Sequence, residues 1–140
     1  MLGKPRRVSS TFNYFTGHDV EDNAVSVIEF ENKAIAIVET SFVSTHCPTT
    51  LEIYGTEGTL LAGGPDNLVR IRSRRLDGEL AGWITPARLP EALPRPIRIW
   101  VNGILDGTPI PFGLEEGTQL TELMEAAYLS HRTGGTADIG

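Results

Sequence analysis

Apolar and β-branched residues gather into short runs along the first half of the chain, with turn residues between them. From Val20 to Leu61 it reads VEDNAVSVIEF, ENK, AIAIVETSFV, STHCP, TTLEIYG, TEG and TLL. Runs of this length, punctuated by Asn, Gly and Pro, predict consecutive strands of a mostly antiparallel sheet. Val8 to Phe15, where Val8, Phe12 and Tyr14 share one parity, predicts an earlier strand, and the polar stretch Thr16 to Glu21 a loop. In the second strand Ala24, Ile28 and Phe30 oppose Val25 and Val27. In the third, Ala36, Val38 and Phe42 oppose Ile35, Ile37 and Val43. A sheet with one wet face alternates more cleanly. This sheet is therefore expected to be covered twice, once by the chain's own helices and once by another domain or subunit.

Asn32-Lys33 is the expected two-residue hairpin turn, with Lys where Gly would be less strained. Gly55-Thr56-Glu57-Gly58 is the second tight connection, its glycines relaxing the backbone. Leu68 to Arg74 alternates Leu68, Arg70, Arg72 and Arg74 with Val69, Ile71 and Ser73, an amphipathic strand with a basic outer face. Residues 76–96 carry Gly78, Gly82, Pro86, Pro90, Pro94 and Pro96, an irregular connection with a short strand near Trp83 to Thr85.

The period then changes. Ile97, Trp100, Val101, Ile104 and Leu105 fall on one helical face, with Pro96 in the first turn and Gly107 as the stop. Leu120, Leu123, Met124, Ala127 and Tyr128 repeat that spacing. Glu115 and Glu116 near the start of this second helix and His131 and Arg132 near its end suit the helix dipole, and Gly134-Gly135 ends it. Trp100 and Met124 are expected in the core. Ala137 to Ile139 suffices for a last strand. The sum is one α+β domain over residues 1–140, an open and mostly antiparallel sheet of about six strands with two helices on one face.

Composition narrows the function. The 140 residues carry a formal net charge of −6, which repels phosphate backbones and argues against nucleic-acid binding. No run approaches the ~20 apolar residues that span a bilayer, and MLGKPRRVSS lacks the apolar core of a signal peptide. Cys47 is the single cysteine, which fits a reducing cytoplasm. Gly3 and Pro5 read as the close of an element, such as a helix, whose body the sequence does not contain.

No complete active site is legible. A zinc site needs three or four clustered ligands. Adjacent His46 and Cys47 point apart in extended backbone, and Cys47 has no other base nearby in sequence, so neither a metal nor a catalytic residue is assigned. Glu29, Glu31 and Glu39 read as solvent-facing strand acids, and Arg70, Arg72, Arg74 and Arg75 as a strand face that resists edge aggregation. Asn13 suits either a sugar hydroxyl or a turn. No G-x-G-x-x-G occurs, and the acids of Gly113-Leu114-Glu115-Glu116-Gly117 would repel a pyrophosphate, so no cofactor is bound by this chain alone.

Three segments nonetheless form a recognisable series. Val20 to Ala34 (VEDNAVSVIEFENKA) resembles a pattern D-x-x-x-x-x-h-x-F-x-x-G-A, where h is apolar. Leu51 to Leu60 (LEIYGTEGTL) is similar to a strand and turn h-x-G-x-x-G-x-h. Leu120 to Ser130 (LTELMEAAYLS) is similar to a closing helix ending E-A-h-x-x-S. Their order and spacing resemble the C-terminal half of the Gfo/Idh/MocA oxidoreductases, NAD(P)-dependent dehydrogenases of sugars, polyols and inositols. The resemblance covers nearly the whole chain and departs from the pattern at Lys33, where Gly is usual.

That resemblance implies a glyceraldehyde-3-phosphate dehydrogenase-like C-terminal domain, with the N-terminal Rossmann domain absent from these residues. It also implies that the family's catalytic Lys and His/Asp motifs lie outside them, so that the isolated chain is inactive while NAD(P) serves the full-length enzyme. It directs the loops around Tyr14–His18 and Ser44–Cys47 towards substrate, which makes Tyr14, Thr16, His18 and His46 the pocket candidates. They are equally well read as solvated loop residues. A sheet face bearing Val25, Val27, Ile35 and Ile37, or its opposite, is expected to build a homo-oligomer. The alternative is a stand-alone dimerising or ligand-binding domain without catalysis.

Overall fold

The computed structural model describes residues 2–46, 48–76 and 82–140. In chain order its elements are strands β1 (Pro5–Asn13), β2 (Asn23–Phe30), β3 (Ile35–Ser41), β4 (Thr50–Gly55), β5 (Gly58–Gly63) and β6 (Leu68–Ser73), helices α1 (Pro96–Asp106) and α2 (Leu114–Thr133), and strand β7 (Ala137–Asp138). The α+β class, the antiparallel pairing and the two helices agree with the sequence. The strands, however, form two sheets instead of one, ordered β3-β2-β1-β7 and β4-β5-β6. The chain correspondingly makes two compact units, Met1–Thr45 with Arg95–Gly140, and His46–Pro94.

In the first unit the pairing Val8↔Ile28↔Ala36 lines apolar side chains across one sheet face. Helix α2 lies on that face against β1 and β7. Its contact surface is Ala126 and Ala127, small enough for the helix backbone to approach Val8, which is 1% exposed. Ile28 and Ala137 complete the buried cluster, with Phe12, Phe30, Leu123 and Ile139 packed around it. The helix runs from Leu114, six residues before the first periodic apolar position at Leu120, because the Glu116 side chain accepts the Gly113 N–H at 2.6 Å and starts it early. Gly134, at φ +67°, ends it.

The opposite face of the same sheet carries Val25, Val27, Ile35 and Ile37, all exposed. The two-sided apolar pattern therefore has one cover within this unit, not two. Trp100 and Met124, expected in the core, are 51% and 52% exposed. α1 turns its Gly103 side to Ile110, where an added Cβ would stand 2.4 Å from Cγ1, and leaves Trp100 outward. Met124 faces the cleft beside α2.

The hairpin joining β2 to β3 is also tighter in one respect and longer in another. Phe30 donates to Ala34 and Lys33 to Phe30, each at 3.0 Å, so the loop is the three residues Glu31–Lys33. Lys33 takes the left-handed position at φ +70°. In the second unit, a three-stranded meander, Ile84 adds one bridge to Ile71, as the short strand near Trp83 requires. Gly58 has no left-handed φ; its role is proximity, since a Cβ there would lie 2.4 Å from the Arg72 carbonyl oxygen. No described residue of this unit is buried. Residues 77–81 of the irregular connection, Gly78 among them, lie outside the described residues.

Candidate functional site

Strand β1 outruns its neighbour. β7 pairs only with Arg7 and Val8, so the next N–H groups on that side, of Ser10 and Phe12, have no strand to meet. The last turns of α2 supply the acceptors. Ser130 Oγ takes the Ser10 N–H at 2.8 Å while its hydroxyl donates to the Gly135 carbonyl at 2.5 Å. His131 Nδ1 takes the Phe12 N–H at 3.2 Å, and its ring stacks on Phe12 with centroids 5.1 Å apart. A ring nitrogen that accepts must offer its lone pair. His131 lies in the last turn of α2, as expected, and there its ring nitrogen also closes the sheet edge.

Past this edge the chain turns back at Tyr14–Gly17, with Gly17 at φ +75°. The turn is gripped from inside by Asp22, only 6% exposed. Its Oδ1 accepts the Phe15 N–H at 3.0 Å and its Oδ2 the Thr16 N–H at 2.6 Å, while Asn23 Nδ2 donates to Oδ1 at 3.2 Å. These donors, the Thr16 N–H foremost, favour the charged form and hold the carboxyl below its ordinary pKa despite burial.

Beside the turn, a cleft of about 320 Å³ opens between α2 and the face of β2 and β3 that the helix leaves uncovered. Its floor is apolar, with Ala24, Ile28, Val38 and Leu123, and its rim holds Glu21 and Tyr128. The Tyr128 hydroxyl donates to Glu21 Oε2 at 2.5 Å, and its ring meets Phe12 edge-on at 5.0 Å. The bond to Glu21 pushes the phenol pKa upward, so this hydroxyl is a donor and not a base.

The structure brings some of the sequence candidates together. Tyr14 and Thr16 sit on the clamped turn, and the Tyr14 ring is 6.2 Å from that of His131. His18 follows on the exposed loop. His46 is exposed and belongs to the other compact unit. Cys47 lies outside the described residues. Among the described residues, no group of three or more His, Cys, Asp or Glu is arranged to hold a metal. Likewise no described helix is long and apolar enough to cross a membrane. Glu29, Glu31 and Glu39 form no acid/base pair in these contacts: Glu29 meets Arg7 at 2.7 Å and Arg6 at 3.4 Å. Of the basic cluster, Arg70 is paired with Asp66 and Arg75 with Glu57. Asp22, Glu21 and Tyr128 were missed as site residues. The one signal in sequence was the acidic pair Glu21-Asp22 between a glycine-bearing loop and a strand.

This fold is shared with parts of solved oxidoreductase structures. An NAD-binding protein from Listeria innocua matches over 99% of this chain and 42% of its own, with TM-score 0.75 and 23% identity. An oxidoreductase from Agrobacterium radiobacter, in complex with NAD+, L-tartaric acid and magnesium, matches over 99% and 44%, with TM-score 0.74 and 20% identity. Levoglucosan dehydrogenase, in complex with NADH and levoglucosan, matches over 97% and 45%, with TM-score 0.79 and 18% identity. The chain thus spans less than half the length of each of these structures. Residues 1–61 match the family model described as GFO/IDH/MocA C-terminal domain, so the resemblance drawn from the sequence is found there. No curated protein matches the chain by sequence.

Proposed function

We propose that this chain is the substrate-side and oligomerisation half of an NAD(P)-dependent dehydrogenase of a sugar, polyol or inositol. The observation that carries this reading is the family match over residues 1–61, the segment that holds β1 to β4, the start of β5 and the clamped turn. In such an enzyme hydride passes between the nicotinamide and a carbinol carbon, and a base takes the hydroxyl proton. These residues contain no glycine-rich phosphate loop. Their part is to shape the wall, through the Tyr14–His18 turn. NAD(P) is held by a nucleotide-binding half, and the single cysteine fits a cytoplasmic enzyme.

The exposed sheet face supports the second role. Val25, Val27, Ile35 and Ile37 are adjacent across β2 and β3, where Val27 pairs with Ile37. An apolar patch of this kind suits a second copy of the chain. The test has two arms. Titration calorimetry of the 140-residue chain with NAD+ or NADP+ is expected to show no saturable signal at micromolar concentration, and a clear one overturns the division of labour. The chain joined to a glycine-rich nucleotide-binding half is expected to reduce NAD(P)+ with a sugar, polyol or cyclitol. If no member of such a panel is oxidised, the alternative of a non-catalytic dimerising domain stands.

A further inference from the structure

We propose that Asp22 is a positioning residue, whose carboxylate holds the Tyr14–Gly17 turn in the one conformation that presents Tyr14, Phe15 and Thr16 to substrate. The inference rests on the reading of that turn as pocket wall and names the group that orders it. Apart from Asp22, the turn is held at its entry by the Tyr14 N–H to Asn13 Oδ1 bond of 2.8 Å, and weakly elsewhere. Phe15 is 79% exposed, so packing does not fix it, and the closing Gly17 N–H to Tyr14 carbonyl bond is 3.4 Å long. The carboxylate instead receives two successive backbone N–H groups, one on each oxygen.

Asp22 is itself anchored on both sides. Its N–H donates to the Asn13 carbonyl at 3.0 Å, and its carbonyl accepts the Phe42 N–H at 2.8 Å. The ends of β1 and β3 are thus tied to the residue that ties the turn. The groups that meet it are neutral: the Asn23 amide and the backbones of Asn13, Phe15, Thr16 and Phe42. Glu21, next along the chain, gives its carboxylate to the Tyr128 hydroxyl instead. The consequence is a largely exposed phenyl ring and a tyrosine on a turn already ordered before ligand arrives, which reduces the entropy lost on binding. An apolar ring so placed can meet the C–H face of a sugar or cyclitol.

Asp22→Asn is the discriminating variant, because it keeps the volume and removes one acceptor. One of the two N–H groups would then face an NH2 donor. In the wild-type chain, the amide protons of Phe15 and Thr16 are expected to titrate together in 15N NMR, at a pH below the ordinary carboxylate range. Asp22→Asn is expected to abolish that titration and to speed exchange of these two amides about tenfold, with the Lys33 hairpin amides unchanged. Asp22→Glu restores a titrating response. Amides that do not titrate in the wild type, or that exchange alike in Asp22→Asn, overturn the proposal without reference to any variant's stability.

The kinetic arm uses the chain joined to its nucleotide-binding half. There Asp22→Asn is expected to raise KM for the polyol about tenfold and to leave kcat within about twofold. An unchanged KM with freed amides overturns the positioning role. A wild-type fusion without dehydrogenase activity counts instead against the proposed function, and the amide response alone then decides for or against Asp22.

Discussion

The two sheets of this chain are built by the same local rules and end in different states. Both are antiparallel meanders of short β-branched strands. The four-stranded sheet has a helix on one face and, beneath it, Val8 and Ser130 at 1% exposure. The three-stranded sheet has no helix among the described residues of its unit, and every residue of β5, its central strand, is only half-buried. Strand pairing satisfies backbone groups in both, but it removes little side-chain surface from water. A second layer is what converts an apolar strand face into a core.

If that contrast is right, the largest effect should come from the covered face. Ile28→Ala is expected to cost about 3 kcal/mol, since it empties space in the buried cluster beside Val8, as urea unfolding would measure. A loss below about 1 kcal/mol would mean the cover is loose. Ser130→Ala tests the polar part of the same cover. It strands the Ser10 N–H, in a residue 9% exposed, and should cost about 2 kcal/mol in the same assay. Leu61→Ala, on half-buried β5, should cost only about 1 kcal/mol. A larger loss there would show that the three-stranded sheet gains a cover in solution.

The outward face of the four-stranded sheet gives the next smaller effect on stability. Val27→Lys with Ile37→Lys should change the monomer's unfolding free energy by no more than about 0.5 kcal/mol each. The same pair is expected to shift light-scattering mass from dimer to monomer. A wild type that scatters as a monomer at high concentration would remove the oligomerisation proposal.

Acid should act on both units through a few carboxylates. Asp22, Glu29, Glu116 and Asp66 all have folded-state pKa values below their ordinary ones, through backbone donors for Asp22 and Glu116 and through arginine for Glu29 and Asp66. Their stabilisation is therefore complete above the ordinary carboxylate range and is lost as pH falls through the folded values. Stability followed by circular dichroism should hold down to the ordinary carboxylate range and decline from there towards strong acid. The arginine-paired share should shrink in added salt, because those pairs are partly exposed.

Much of the architecture was legible because periodicity is local. The strand runs, Pro96 and Gly107 around α1 and Gly134 after α2 each depend on residues a few positions apart. What was not legible depends on distant residues meeting. Trp100 has perfect helical spacing with Ile97 and Ile104, yet which side of α1 is covered is decided by Ile110 against Gly103. The hairpin at Lys33 is a three-residue loop because Phe30 and Ala34 pair, and the turn's residues alone permit either length. At the candidate site, Tyr14 and Thr16 were found as loop polar residues. Asp22 was invisible as their clamp, because its partners lie back across the loop and, for its own carbonyl, just past the end of β3 at the Phe42 N–H.

The amino-acid order by itself determined that this is an acidic, helix-backed antiparallel α+β chain without a nucleotide loop, since those properties reside in composition and near-neighbour pattern. Only the folded molecule decided that the strands divide into two sheets, that α2 covers β1 while leaving β2 and β3 open, and that a buried carboxylate grips the turn. The physical reason is that burial is a relation between segments. Ser10 meets Ser130, and Val8 meets Ala127, across more than a hundred residues, and no window on the sequence contains both partners.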